Sequence, residues 1–253
     1  METAPADNII EARGLTKRFY GFAAVSGVDL NVRRKSIHAL IGPNGAGKTT
    51  FFNLITKVHQ PNEGSIRFNG IDITADDPAR VARRGVVRSF QISALFPRMT
   101  VAENVRIAVQ RPLGTSFHFW RSERTLAPLG ERVDALLDSV GLLDLRDHTA
   151  ADLPYGRKRA LELATTLALE PELLLLDEPT SGLGGEDVDR ISDLIRKVSA
   201  GRTVLMVEHN LSVVASLADM ITVLARGKVL AEGPYSQVTA DPRVIEAYIG
   251  SEA

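Results

Sequence analysis

These 253 residues contain no cysteine. Disulfides, thiolate metal sites and a cysteine nucleophile are excluded together. An excess of one charge sign is missing too, since 30 Lys and Arg stand against 31 Asp and Glu. A net charge of −1 points to neither nucleic acid nor an anionic membrane surface as a partner. The basic clusters Arg33-Arg34-Lys35 and Arg157-Lys158-Arg159 are short and read as solvated faces. No apolar run comes near the roughly 20 residues a membrane-spanning helix needs. The opening residues, Met1-Glu2-Thr3-Ala4-Pro5-Ala6-Asp7, are acidic and polar and do not read as a secretory signal. Internal repeats and low-complexity segments are lacking as well. What is present, 44% hydrophobic and 24% charged residues, suits a globular chain long enough for a real core. The expectation is one large domain, or one domain with a lobe, in the cytoplasm.

The most informative segment is Gly42-Pro43-Asn44-Gly45-Ala46-Gly47-Lys48-Thr49, followed by Thr50. It fits G-x-x-x-x-G-K-[ST], the loop that wraps nucleotide phosphates. The apolar run 37–41 before it reads as a buried strand, and residues 48–56 can open a helix. A strand feeding a glycine loop feeding a helix aims backbone N–H groups and a positive helix end at one anion. Lys48 would reach the terminal phosphates and the Thr49 hydroxyl would hold Mg²⁺. A glycine turn that merely ends a strand would not need the lysine and the hydroxyl in register.

Short strand signals fill the opening third: 9–15, 25–32, and 64–68 before the Asn69-Gly70 turn. Residues 86–91 read as another strand, broken at Pro97. Thr100 is placed to cap a helix over 101–109, with Glu103 completing a capping box. Residues 111–130, with Phe117-His118-Phe119-Trp120 at their centre, read as an insertion in a mostly helical lobe, the aromatics either packing locally or meeting a partner. After Gly156, a helix over 157–169 carries Ala160, Leu161, Ala164, Leu167 and Ala168 on one stripe. Then follow Leu173-Leu174-Leu175-Leu176, a helix near 186–198, and the strand 203–207. Strands alternating with helices predict an α/β fold with a mainly parallel sheet covered on both faces.

The run of leucines ends in Asp177-Glu178. A buried strand delivers such carboxylates at the carboxyl edge of a parallel sheet, where the phosphate loop also lies. With both motifs in place the chain resembles the ATP-binding cassette (ABC) family over nearly its whole length. The resemblance implies a P-loop NTPase of the ABC nucleotide-binding type: a mainly parallel core sheet, an N-terminal antiparallel β region and a helical lobe. It implies a single domain over residues 8–250 with the lobe inserted at about 92–168. It also implies ATP and Mg²⁺ as cofactors. Thr49, Asp177 and the Q-loop glutamine Gln91 would hold the metal. Glu178 would polarise the attacking water, and His209, after the strand 203–207, resembles the switch histidine on the γ-phosphate. Phe19 resembles the aromatic that stacks on adenine, with Tyr20 as the alternative one residue on.

Two motifs depart from the family pattern. The signature, usually Leu-Ser-Gly-Gly-Gln, reads Leu153-Pro154-Tyr155-Gly156-Arg157, so the serine that caps a partner's nucleotide is replaced by proline. Gly156 and the helix N-terminus after it remain, and Arg157 could compensate. The loop after the second motif reads Ser181-Gly182-Leu183-Gly184 and lacks the usual aspartate. Within the family, the Tyr-Gly signature, Arg88-Ser89-Phe90-Gln91, the insert and the ending 241–250 resemble the longer cassette of branched-chain and hydrophobic amino acid importers. These features are shared with urea and amide importers and partly with lipopolysaccharide exporters. A soluble ATPase of the iron–sulfur assembly type also fits the length. The resemblance implies pairing with a second cassette, identical or different, and integral membrane permease subunits docking at 92–104, which include Phe96, Pro97, Arg98 and Met99. A solute-binding protein would act indirectly, no nucleic acid would be involved, and the subunit would sit peripherally on the cytoplasmic face of the inner membrane.

Overall fold

The computed structural model describes residues 7–89, 95–111 and 127–249. The chain is organised as two compact units. The first takes in the residues up to Val86, then Glu172–Glu178, then the residues from Ser199 on; the second takes in Val87–Pro171 and Pro179–Val198.

The first unit begins with β1 (Asn8–Phe19) and β2 (Phe22–Arg33), paired antiparallel. They are joined by Tyr20-Gly21, both at positive φ (48° and 88°), which is the two-residue turn whose twist matches a hairpin. Both strands run past the expected limits of 9–15 and 25–32. Gly14 and Gly27, at φ 56° and 62°, lie beside shifts in the pairing register, so bulges interrupt the alternation without ending the strands. After β3 (Ile37–Ile41) and α1 (Lys48–Ile55) come β4 (Glu63–Phe68) and β5 (Ile71–Asp72). Asn69-Gly70 forms their hairpin turn as its dipeptide predicts, and the sheet order is β2-β1-β4-β5. Next, α2 (Pro78–Arg83), capped by the Asp77 side chain, leads to β6 (Val86–Ser89), where the chain passes into the second unit.

That unit is helical. It contains α3 (Val101–Gln110), α4 (Ala127–Ser139), α5 (Tyr155–Leu167) and nearly all of α6 (Gly185–Ser199). The predicted capping box is present: Thr100 Oγ1 accepts from the Glu103 N–H at 3.1 Å, and Glu103 Oε2 accepts from the Thr100 N–H at 2.8 Å. Asn104 adds a clasp that the helical pattern did not announce. Its buried side chain accepts from Phe96 N–H and donates to the carbonyls of Phe96 and Thr100, pinning the segment ahead of the helix. The stripe Ala160, Leu161, Ala164, Leu167 and Ala168 is buried as its spacing requires. Arg159 is a correction. It is not part of a solvated face but 9% exposed, with its guanidinium 2.9 Å from Glu162 Oε2.

Between and after these lie β7 (Leu173–Asp177), β8 (Thr203–Val207), α7 (Leu211–Leu217), β9 (Met220–Ala225), β10 (Lys228–Gly233), α8 (Tyr235–Thr239) and α9 (Pro242–Ile249). Strands β9, β3, β8 and β7 pair in parallel in that order, and β10 adds an antiparallel edge. Every residue of β3, β7 and β8 is buried, as near-continuous apolar runs require when both faces are covered. One hydrophobic cluster joins Phe51, Phe52 and Leu54 of α1 to Ile10, Leu30 and Phe68 of the antiparallel sheet and to Leu40, Leu175 and Leu205 of the parallel one. A fully buried phenylalanine such as Phe51 is worth about 3–5 kcal/mol against alanine. The helix behind the glycine loop is therefore anchored by both sheets.

Candidate functional site

Pairing registers bring the candidate segments to one edge. Leu40 of β3 and Asp177 of β7 are both level with Val207 of β8. Within a residue or two of that row, β3 gives way to the glycine loop, β7 to Glu178, and β8 to Glu208 and His209. Three motifs far apart in sequence thus leave the sheet side by side.

The loop 42–47 is held by neighbouring backbone. Gly47 has φ 104°, and a Cβ there would run into the carbonyl oxygen of Ala24 in β2. At Gly42 a Cβ would strike the carbonyl of Leu224 in β9. No other residue fits at either position without moving a strand. The Ala46 carbonyl accepts from Gly227 N–H at 3.0 Å, which ties the loop to the β9–β10 turn. Lys48, 9% exposed, donates from Nζ to the carbonyls of Gly42 (2.6 Å) and Pro43 (3.0 Å). Burial lowers its pKa, and the charges of Glu178 and Asp177 oppose that shift, so all three side chains share one electrostatic field. Thr49 is exposed and Thr50 half-buried on the first turn of α1.

Asp177 is 3% exposed at the end of β7. Glu178 is half-buried and adopts φ 46° while its N–H donates to the Val207 carbonyl at 2.9 Å. A non-glycine residue held left-handed costs about 1–2 kcal/mol, and the ladder bond maintains it. His209 is 59% exposed and directly follows the fully buried Glu208.

This geometry has known relatives. The family model described as ABC transporter matches residues 25–181, and one described as branched-chain amino acid ATP-binding cassette transporter matches residues 228–253. The chain belongs to the ABC transporter family. It is 41% identical to the high-affinity branched-chain amino acid transport ATP-binding protein BraF of Pseudomonas aeruginosa, over 96% of this chain and 98% of that one. In fold it matches MJ1267, an ATP-binding cassette of an ABC transporter solved in its ADP conformation, with a TM-score of 0.84 and 30% identity over 96% of this chain and 99% of that one. It also matches the dimeric post-hydrolysis state of the cassette MJ0796 bound to ADP and Pi, with a TM-score of 0.74 and 25% identity over 89% and 98% of the two chains. The expected α/β cassette fold is borne out, and the chain is a nucleotide-binding ATPase of the transporter class.

The other residues that the resemblance singled out are placed as follows. Phe19 is half-buried, edge-on to His59 with ring centroids 5.2 Å apart, and Lys17 Nζ lies 5.3 Å from its ring centre. Tyr20 and Phe22, beside it on the hairpin, are exposed. Gln91 and the aromatics 117–120 lie outside the described residues, as do residues 92–94 of the expected docking segment.

The signature belongs to the second unit. Leu153 is buried, and Pro154 starts α5 without a side-chain cap. A Cβ on Gly156 would meet the Asp187 carboxylate at 2.5–2.7 Å, so any larger residue there would make that side chain turn away. The Tyr155 hydroxyl is 3.4 Å from the carbonyl of Ser181, its ring lies against Gly182, and the Arg159 guanidinium stands 5.8 Å over it. Arg157 donates from one guanidinium nitrogen to the Gly141 carbonyl at 2.8 Å.

Sequence reasoning missed two residues that lie beside these segments. Tyr248 of α9 has its hydroxyl at the backbone N–H of Gly42, and burial pushes its pKa up to about 12 against the opposing pull of that N–H. Nothing in the local pattern of α9 announces a contact with a loop two hundred residues earlier. Glu208 did carry a signal, an acidic residue directly after the apolar run 204–207 and directly before the histidine.

Proposed function

We propose that this chain is the energy-coupling subunit of an importer for branched-chain or other hydrophobic amino acids. The observation that carries the reading is the level row of Leu40, Val207 and Asp177, from which the glycine loop, Glu178 and His209 depart together. The match over residues 228–253 supports the amino acid class. ATP would bind with its phosphates in the loop 42–50, its adenine on Phe19, and its terminal phosphates neutralised by Lys48. Thr49 offers an exposed hydroxyl and Asp177 a carboxylate, the oxygen donors that Mg²⁺ takes alongside phosphate and water. These residues, with Gln91, would hold the ion, which supplies charge neutralisation in phosphoryl transfer. Glu178 would orient the attacking water and accept its proton, while His209 contacts the γ-phosphate.

The partners follow from the same reading. A second cassette, supported by the dimeric relative, would receive the signature 153–157 over its own nucleotide. Integral membrane permeases would dock at 92–104, with the second unit acting as the helical lobe that meets them. The subunit would sit peripherally on the cytoplasmic face of the inner membrane, beside those permeases; among the described residues no helix is long and apolar enough to cross a membrane. A solute-binding protein would act on the permeases from the other side.

The test is ATPase activity of the complete complex in lipid vesicles, with and without solute-binding protein loaded with leucine. Stimulation by leucine is the expected result. Stimulation by urea or an amide instead would move the chain to a sister branch, and no ATPase activity in the assembled complex would overturn the reading.

A further inference from the structure

Besides Glu178, the sheet edge carries a second glutamate to which the roles above assign no part. Glu208 has no solvent exposure and follows β8 one residue past the level row. Its Oε2 accepts the backbone N–H of His209 at 2.7 Å and that of Asn210 at 3.2 Å. The same oxygen lies 3.5 Å from His209 Nδ1. Immediately beyond, the Asn210 side chain accepts from Ser212 and Val213 N–H and so caps α7. The peptides on both sides of the His209 Cα are therefore held by Glu208, and the Asn210 cap fixes the start of α7 just beyond.

Burying a carboxylate is unfavourable unless charged hydrogen bonds satisfy it. Holding two N–H groups alone needs only a carbonyl oxygen. What the carboxylate adds is a negative charge beside Nδ1. An imidazole that turns Nδ1 toward such a charge presents Nε2 the other way, as histidines fixed by an outer carboxylate do elsewhere.

We infer that Glu208 is the positioning residue for His209: its carboxylate holds the peptides around the histidine and the Nδ1 edge of the ring, so that Nε2 is presented to the terminal phosphate of the nucleotide. This rests on the reading of His209 as the phosphate-contacting histidine.

The experiment compares Glu208→Gln, His209→Ala and the double variant in the assembled complex, with MgATP as substrate. Glutamine keeps the volume and one acceptor for the backbone but removes the charge beside Nδ1. The expected result is kcat lowered about 10–100-fold with KM for MgATP unchanged. In the double variant, turnover should be no lower than in His209→Ala alone. Parental turnover in Glu208→Gln while His209→Ala is impaired would overturn the inference and leave the His209 reading intact. A further drop from His209→Ala to the double variant would overturn it too, because Glu208 would then act on its own. Full activity of His209→Ala would remove the reading of His209 and this inference with it. If thermal melting shows Glu208→Gln unfolded, Glu208→Asp withdraws the oxygen by one methylene while keeping the charge. It must then lower kcat without raising KM, and parental kinetics would overturn the proposal.

Discussion

Lys48 turns its ammonium back onto its own loop and donates to the carbonyl of Gly42 at 2.6 Å. Burial works against its charge, while Glu178 and then Asp177 support it. A charge held this close to the loop is placed for an anion. Lys48→Ala should weaken ATP binding by about 1.5–3 kcal/mol, the range for hydrogen bonds to charged groups. Titration of the purified cassette with a fluorescent ATP analogue measures it, and an unchanged Kd would remove Lys48 from the phosphate site.

Glu178→Gln should keep nucleotide affinity and lose about 10²–10⁴ in turnover, because it preserves shape and removes the base. The backbone makes a second, independent forecast. With φ at 46°, glycine at this position should be more stable than alanine by about 1 kcal/mol. Comparing the urea midpoints of Glu178→Gly and Glu178→Ala checks the strain. Near-parental ATPase of Glu178→Gln in the assembled transporter would end its role as base.

Phe19 is already flanked by His59 and Lys17, whereas Tyr20 stands in solvent at the turn. A half-buried ring held by neighbours is the better platform for a base, since less freedom is lost on stacking. Phe19→Ala should weaken ATP and GTP binding alike by about 1–3 kcal/mol, by analogy with bases stacked on aromatic side chains. If Tyr20→Ala has that effect and Phe19→Ala has none, the platform lies one residue further on.

His38 sits 1% exposed in β3, with Nε2 2.8 Å from Thr222 Oγ1. That hydroxyl donates to Glu232 Oε2 at 2.7 Å, so the ring with its proton on Nε2 fits the chain of bonds. Burial pushes its pKa down from 6.5 to about 4. Below the unfolded value the unfolded chain takes up a proton that the fold refuses, so stability held above pH 6.5 is lost as pH falls toward 4. The loss from this group reaches about 3 kcal/mol at the low end. Urea unfolding of the parent and of His38→Gln between about pH 7 and pH 4.5 should show a shallower decline in the variant. Parallel declines would assign the acid sensitivity to other groups.

Local chemistry made much of this protein legible. Loop 42–49 needs glycines, a lysine and a hydroxyl at set spacing, and the Thr100–Glu103 box needs only two residues three apart. Near-continuous apolar runs announced β3, β7 and β8, because a parallel strand buried on both faces has little polar side to show. Where bulges intervened, at Gly14 and Gly27, the alternation broke and the strands read short. Arg159 read as solvated because a helical stripe does not reveal that Glu162, one turn on, accompanies it inward.

The sequence by itself determined the family of the chain and singled out the glycine loop, Asp177, Glu178 and His209 as its candidate site. Only the tertiary structure decided that Leu40, Val207 and Asp177 stand level and that Ala24 and Leu224 press on the loop glycines. It alone decided that Glu208 lies buried against His209 and that Tyr248 meets Gly42. The physical reason is separation along the chain. A motif records which groups the chemistry needs, but strand register and burial arise from pairing between segments far apart, and no local pattern encodes which backbone will close against which.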